Sequence, residues 1–496
     1  MSDKHLALKG PPPLPDTLEA AHRVIGFLWG ELKRLAGQVE TQAARIEELE
    51  EKLKSDSSNS STPPSLDRMK GRGEKGKPKS SGRKKGGQPG HVHNARELLP
   101  ETQMDAIERY YPEPYCGCGG RIQPESEPCQ RHQVFDLPEV RYRATEYQRF
   151  AGCCDRCGGR AMGRLPDWVP AGQMGPGLLA WIALMSGQYR LSTRCIQSLL
   201  EGQWGLSFSL GALSEAQEPV GAWLEPLHEQ VGEAVRQAPV AHADETTHYR
   251  EQSRYWLWVL CTAQMAYFVV HASRGKQAAR ELLGSFMGIL LTDRHGGYND
   301  YPARLRQFCW AHIIRNLEAI AGRKGEAGEL GQWLVRVARL IIRMEQAWRR
   351  SAYRSPHYRR RLEALRLNFK AALEQGAIQH AGQRTGNACL RLLQDESMLW
   401  TFLQRPGLPL TNNTAERALR PYVVWRKTSF FSQSDRGDVF RARVLTVTET
   451  CRRLKISAYN LLRRVCEQGQ RQEEITVRLP LPQTPALLPV PASSGG

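Results

Sequence analysis

The run from Pro239 to Asp293 constrains this chain most. Pro239-Val240-Ala241-His242-Ala243-Asp244-Glu245-Thr246-Thr247 suits a short strand with an acid in its middle. Arg254 to Cys261 and Ala266 to His271, rich in Tyr, Trp, Val and Phe, read as two more strands, paired antiparallel through short turns. Lys276 to Leu283 has helical composition, and Gly288-Ile289-Leu290-Leu291-Thr292-Asp293 is an apolar strand that ends on an acid. A carboxylate in such a place needs a partner. Two carboxylates on neighbouring strands of one sheet repel unless a cation sits between them, and oxygen-only ligation suits Mg²⁺ or Mn²⁺. Glu245 is the rival to Asp244, but it points to the opposite sheet face.

A chain of 496 residues should hold several domains. Its formal net charge of +18 calls for an extended anionic partner, and nucleic acid fits best. No apolar run approaches the ~20 residues that cross a bilayer. The first residues lack the apolar core of a signal peptide, so a cytoplasmic location is expected. Twelve cysteines are too sparse for a disulfide scaffold. Half of them cluster between Cys116 and Cys157, which points to metal binding in a reducing compartment.

Leu18, Ala21, Ile25, Leu28, Leu32, Leu35, Val39, Gln42, Ile46, Leu49 and Leu53 alternate three and four residues apart. Branched side chains at Ile25, Val39 and Ile46, with leucines between them, predict a two-stranded parallel coiled coil and hence a homodimer or larger assembly. The other reading is an amphipathic helix folded back on its own domain. Gly26, Gly30 and Gly37 lie off the seam and each costs roughly 1 kcal/mol of helix stability. Ser55 to Pro64 stops the helix, and Arg68 to Lys85 cannot bury a core. Lys75, Lys77, Lys79, Arg83, Lys84 and Lys85 in that arm are candidates for phosphate contact.

Cys116-Gly117-Cys118-Gly119-Gly120 and Cys154-Asp155-Arg156-Cys157-Gly158-Gly159 read as two metal knuckles. Four thiolates, Cys116, Cys118, Cys154 and Cys157, suit structural Zn²⁺, with Cys129 and Cys153 as spare thiols. The bland alternative is a small domain with buried free cysteines. Pro176 to Glu218 is helical. There, Thr193 to Gly202 and Leu210 to Glu218 flank a glycine turn, as in a helix-turn-helix. Leu305 to Trp310 is expected as a fifth strand, followed by a helix carrying His312. Gly322 to Glu396 is helical and Arg-rich. Asn413 or Thr414 can cap a helix whose first turn holds Glu416, with Arg417 beside it and Arg420 one turn on. An exposed Glu416–Arg420 pair is the ordinary reading of that spacing. Leu479 to Gly496 is Pro-rich and reads as a disordered tail.

The expected organisation is a multidomain α+β chain. A coiled-coil helix (1–57) and a basic linker (58–95) lead to a zinc-ribbon-like module (96–175) and a helical, DNA-binding region (176–235). A mixed sheet with helices (236–321 and 406–472) follows, interrupted by a helical insertion (322–405), and 473–496 is the tail.

Asp244-Glu245-Thr246, Asp293 with Gly297-Tyr298, Cys309-Trp310-Ala311-His312 and Asn412 through Glu416-Arg417-Ala418-Leu419-Arg420-Pro421 together resemble the transposases of the insertion-sequence-66 family. Arg426-Lys427 with Phe430-Phe431 and Ser434 continues the likeness, as do Asn59 to Ser65 and Gly86 to His91 upstream. The order of acids resembles that of ribonuclease-H-like DDE enzymes generally. The resemblance implies catalytic acids at Asp244, Asp293 and Glu416, holding two Mg²⁺ or Mn²⁺ ions about 3.5–4 Å apart that clamp a scissile phosphate. Water then cuts the element end, and the freed 3′-OH joins it to target DNA. The resemblance also implies a bacterial, nucleoid-associated protein, and small accessory proteins of the element as partners. Arg417, Arg420, Arg426 and Lys427 become candidate DNA contacts. The Cys-x-x-His signature falls on Cys309 and His312; a core histidine, a structural partner for Cys309 and a DNA contact all remain open for His312. The Cys116–Cys118 spacing departs from the family's usual Cys-x-x-Cys. Two other function classes remain: a DNA-binding regulator or inactive element protein, and a nuclease for RNA–DNA hybrids.

Overall fold

The computed structural model describes residues 17–54, 97–137, 141–170, 172–350, 357–405 and 407–482. The basic linker, with Lys75, Lys77, Lys79, Arg83, Lys84 and Lys85, lies outside them, as does 483–496. The described residues fall into two compact units. One is drawn from Met1–Met69, Leu165–Gln197 and Phe208–Gly496, the other from Lys70–Arg164 and Ser198–Ser207.

Helix α1 (Leu18–Lys54) is continuous through all three of its glycines. Its seam residues Ile25, Leu28, Leu32, Leu35 and Val39 are exposed. The smaller unit contains the hairpin β1 (Ala151–Cys153) and β2 (Arg160–Met162).

Helices α2 (Pro176–Gly187), α3 (Thr193–Trp204), α4 (Leu210–Glu215), α5 (Gln217–Trp223) and α6 (Glu225–Arg236) follow. The single helix expected over Leu210 to Glu218 breaks at Ala216. Pro219 supplies no N–H to continue the α4 ladder but is tolerated in the first turn of α5.

The larger unit is built on a five-stranded mixed sheet in the order β5-β4-β3-β6-β7. Its strands are β3 (Val240–Arg250), β4 (Ser253–Cys261), β5 (Ala266–His271), β6 (Ile289–Thr292) and β7 (Arg306–Phe308). The first three pair antiparallel, while β6 and β7 continue parallel from β3. Leu257 to Cys261 is fully buried, which explains its unbroken apolar run. Helix α7 (Lys276–Leu283) precedes β6. The fifth strand stops at Phe308, short of the expected Trp310, because Trp310 opens helix α8 (Trp310–Ala321).

The helices of the insertion are α9 (Gly325–Arg350), α10 (His357–Gln379), α11 (Arg384–Gln394), α12 (Glu396–Leu399) and α13 (Thr401–Gln404). Their core is continuous with the sheet's: Leu334, Ile341, Phe369 and Trp400 join Ile289, Leu291, Phe308 and Trp310 in one apolar cluster. The Trp310 indole N–H donates to the Leu399 carbonyl at 3.0 Å. Helices α14 (Asn413–Ser429), α15 (Asp435–Leu454) and α16 (Ala458–Gln470) complete the unit. Two threonines of α15 cover the exposed edge strand β5. The Phe268 and Ala266 N–H groups donate to Thr446 and Thr450 at 3.0 and 3.2 Å. Part of the expected tail is packed as well. Ile475, Val477 and Leu479 are buried, and Leu479 exchanges two 3.0 Å backbone hydrogen bonds with the Gln230 amide.

Candidate active site

Strand β3 carries the site, and its pleat decides what each residue meets. Four alternate residues lie on the side of α14 and α15 or in contact with their approach. His242 Nδ1 lies 3.1 Å from Asn412 Oδ1, and Thr246 accepts from the Arg426 guanidinium at 2.9 Å. His248 Nε2 meets Asp438 at 2.6 Å and its other nitrogen meets the Tyr422 hydroxyl. Asp244 is the fourth of this series. Glu245 is engaged elsewhere, by Arg274 at 2.9 Å and the Tyr298 hydroxyl at 2.8 Å. It is thus bound by a guanidinium and a phenol, whereas the Asp244 carboxylate accepts, among the described residues, the Glu245 N–H alone, at 2.9 Å.

Asp293 follows the last residue of β6, and its carboxylate accepts the His295 N–H at 2.8 Å. Glu416 lies in the first turn of α14. Asn412, fully buried ahead of that helix, places it. The Asn412 amide donates to the Ala243 carbonyl at 2.8 Å, and its backbone N–H donates to Cys309 Sγ at 3.1 Å. The residue at the cap position is therefore Asn412, not Asn413 or Thr414, and its side chain makes no cap bond. It serves as a tie between β3, α8 and α14. The sequence offered Asn412 only as part of a motif; a polar residue before a helix signals a cap, and no local pattern announces a partner 169 positions away.

The electrostatics are those of crowded acids. Burial raises the Asp244 carboxyl well above the usual carboxylate range, and the charges of Glu245, Asp293 and Glu416 push the same way. Burial and Asp293 raise Glu245 to about 7, against the pull of Arg274 and Tyr298. Among the described residues no Lys or Arg forms an ion pair with Asp244, Asp293 or Glu416. A divalent cation would relieve this repulsion, and the oxygen donors suit Mg²⁺ or Mn²⁺.

Cys309, His312 and Glu416 form a second feature of the same corner. Their donor atoms all lie within 4.8 Å of one another. His312 Nδ1 and Glu416 Oε1 are 3.7 Å apart, and each is buried without a hydrogen-bond partner. Burial lowers the His312 imidazole from its ordinary range, with Arg315 assisting and Asp293 and Glu416 opposing. Burial pushes the Cys309 thiol up to about 11.

Of the candidate DNA contacts, Arg417 and Arg420 are exposed and line a groove of about 370 Å³ together with Arg190 and Arg452. Lys427 is exposed. Arg426 is half-buried, and one guanidinium nitrogen donates to the Thr246 hydroxyl and the Thr247 carbonyl of β3. In the smaller unit the two cysteine turns share one scheme. The Cys116 N–H donates to the Gly120 carbonyl and the Cys154 N–H to the Gly159 carbonyl, each at 2.9 Å. Gly119 and Gly158, at φ 86° and 68°, make the left-handed bend that such turns require. The two pairs do not meet in a group of three or more donors among the described residues.

Compared with known proteins, residues 171–439 match the family described as "Transposase IS66 family". The chain belongs to that family. Residues 10–97 match a family of unknown function, DUF6444. Two relatives come from Sinorhizobium fredii (strain NBRC 101917 / NGR234). "Uncharacterized protein y4qI" is 24% identical over 284 residues, covering 50% of this chain and 51% of the relative. "Uncharacterized protein y4jO" is 36% identical over 72 residues, 14% of this chain and 22% of the relative. The chain thus spans about half the length of the first of these family relatives and less of the second. No helix among the described residues is long and apolar enough to cross a membrane.

Proposed function

We propose that this member of the IS66 transposase family cuts the ends of a bacterial insertion sequence and joins their 3′-OH groups to target DNA. The reaction centre is Asp244, Asp293 and Glu416, in a domain of ribonuclease-H-like type. The observation that carries the reading is the convergence of three carboxylates from β3, the end of β6 and the first turn of α14, with Asp244 held protonation-prone by burial and by the other acids. The order of acids along the mixed sheet supports the domain type.

Asp244, Asp293 and Glu416 would hold divalent cations, whose Lewis acidity would favour attack by an oxygen on the phosphate and departure of another. The chain's own residues do the rest. The Glu245 N–H fixes the Asp244 carboxylate, and the His295 N–H fixes Asp293. Asn412 sets the register of α14 against β3 and so the reach of Glu416. Arg274 and Tyr298 keep Glu245 apart from the reacting centre. Arg417 and Arg420 offer charge to the DNA backbone beside Glu416. Cys116, Cys118, Cys154 and Cys157 hold a structural Zn²⁺, and α1 pairs two chains so that two ends are held together.

The test is to incubate the purified full chain with labelled element ends, Mg²⁺ and a plasmid. Joined products, abolished by Asp244→Asn, are expected. Cut ends without joining would make the protein a nuclease. Tight binding without any product would make it a regulator.

A further inference from the structure

We propose that Cys309 Sγ, His312 Nδ1 and Glu416 Oε1 form a site for one zinc-class divalent ion, with a coordination position left open for water or a phosphate oxygen. This deepens the catalytic reading, on which it rests only for the role of Glu416; the donor geometry stands by itself.

Four observations lead there. First, the three donors come from two elements that Asn412 ties together. Cys309 stands at the N-terminal boundary of α8 with His312 three residues on, one helical turn away, and Glu416 opens α14. Second, His312 Nδ1 and Glu416 Oε1 are both buried without any hydrogen-bond partner, although they face each other. Buried polar atoms in native proteins are rarely left so. Third, their separation of 3.7 Å is too long for a hydrogen bond. It is close to the about 3.4 Å that separates nitrogen and oxygen donors on one tetrahedral zinc ion. Fourth, Cys309 Sγ already accepts the Asn412 N–H at 3.1 Å, the kind of outer support that orients a metal-bound ligand.

The donor set also decides the metal. Sulfur and imidazole favour Zn²⁺ and Co²⁺ and disfavour Mg²⁺, which takes oxygen. Three protein ligands with one open position is the pattern of a reactive zinc site, whereas structural zinc sites are closed by four. A carboxylate has two oxygens, so Glu416 can serve this ion with one and the oxygen-only cluster of Asp244 and Asp293 with the other. The corner then holds two unlike metal positions.

The test uses the full chain, stripped with chelator and titrated with Co²⁺ in the absence of DNA. Absorption from thiolate-to-cobalt charge transfer is compared between the wild type, Cys309→Ser and His312→Ala, with far-ultraviolet circular dichroism to confirm folding. A parallel variant with Cys116, Cys118, Cys154 and Cys157 all changed to Ser removes the signal of the smaller unit. The expected result is a thiolate band that survives in the four-serine variant and is lost when Cys309→Ser is added to that variant. His312→Ala should keep the band but weaken cobalt binding at least about tenfold. Should Cys309→Ser fail to fold, His312→Ala and His312→Gln carry the same test through affinity. A four-serine variant without any thiolate band, or a band in that variant unchanged by adding Cys309→Ser, overturns the site. Mg²⁺-dependent joining without cobalt binding here would sink only this proposal. Cobalt binding here in a protein that joins nothing under Mg²⁺ or Zn²⁺ would sink only the transposase reading.

Discussion

The sheet and the cysteine-bearing segment of residues 97–164 solve the problem of holding polar groups in place by opposite means. Around β3 the strands bury Leu257 to Cys261 completely, and buried Asn412 and His248 are each held by hydrogen bonds across elements. In the cysteine segment the large apolar side chains stay in water: Tyr110 is 87% exposed, Leu137 90% and Phe150 77%. Two strands of three residues each are its only regular sheet among the described residues. A segment with so little core cannot draw its stability from apolar burial and needs a staple or a partner surface. The left-handed glycines at 119 and 158 preform the two turns, but they do not gather the four sulfurs. One region thus has its geometry before any ion arrives, and the other is expected to acquire it from the ion.

The largest effect should fall on the preformed region and leave its stability untouched. Asp244→Asn, Asp293→Asn or Glu416→Gln should each cut cleavage and joining by on the order of a thousandfold or more, without adding to one another. End binding and thermal midpoint should stay near wild type. Asp244→Asn should, if anything, raise the midpoint, because it removes charge from a crowd of acids. A midpoint that collapses with activity would mean these acids hold the fold instead.

Chelation should do the reverse in the cysteine segment. A structural zinc ion contributes on the order of 10 kcal/mol to a small module. Its removal should abolish amide protection in 97–164, read by hydrogen exchange, and leave β3 to β6 protected. Equal loss in both would erase the contrast.

Asn412→Ala strips His242 and the Ala243 carbonyl of a buried partner and should cost about 2–4 kcal/mol in denaturant unfolding. It should also lower joining, because Glu416 loses its register. A smaller pH effect is expected at His228, whose Nε2 meets the Phe268 carbonyl at 2.8 Å. Burial chiefly lowers this imidazole from 6.5 to about 4. The folded state favours the neutral ring, so its stability is fully present above pH 6.5 and is lost as pH falls from 6.5 toward 4. The loss should be on the order of 2 kcal/mol, and His228→Gln should flatten it. Smallest is the expected effect of Leu32→Glu with Leu35→Glu on α1. It should leave the unfolding of the sheet unit unchanged while weakening self-association in sedimentation and abolishing paired-end complexes. Unchanged sedimentation would assign the exposed seam to another use.

What could be read from the sequence followed how local each signal is. The helix Lys276–Leu283 and strand β5 were legible to the residue, and strand β4 to within one, because alternation and turn residues declare themselves within a few positions. The placement of the acids on a strand, after a strand and in a helix's first turn was legible for the same reason. The tie made by Asn412, the bond from Arg426 to β3 and the continuity of the insertion's core with the sheet were not. Each depends on a partner far along the chain, and nothing near the residue encodes it. The ordered stretch around Leu479 failed to show because Pro-rich composition predicts a tail, whereas burial of Ile475 and Val477 decides the outcome.

The Asn412 tie also sets a clock. A chain made from its N-terminus delivers Cys309 and the Ala243 carbonyl 103 and 169 residues before the asparagine that joins them. Until then the nascent chain carries Asp244 and Asp293 without Glu416. A chain broken off anywhere in the helical insertion lacks Asn412 and Glu416, and with them the third acid of the proposed centre. On the proposed reading, placing the last acid behind the insertion would make completion of translation a condition for any cutting of DNA.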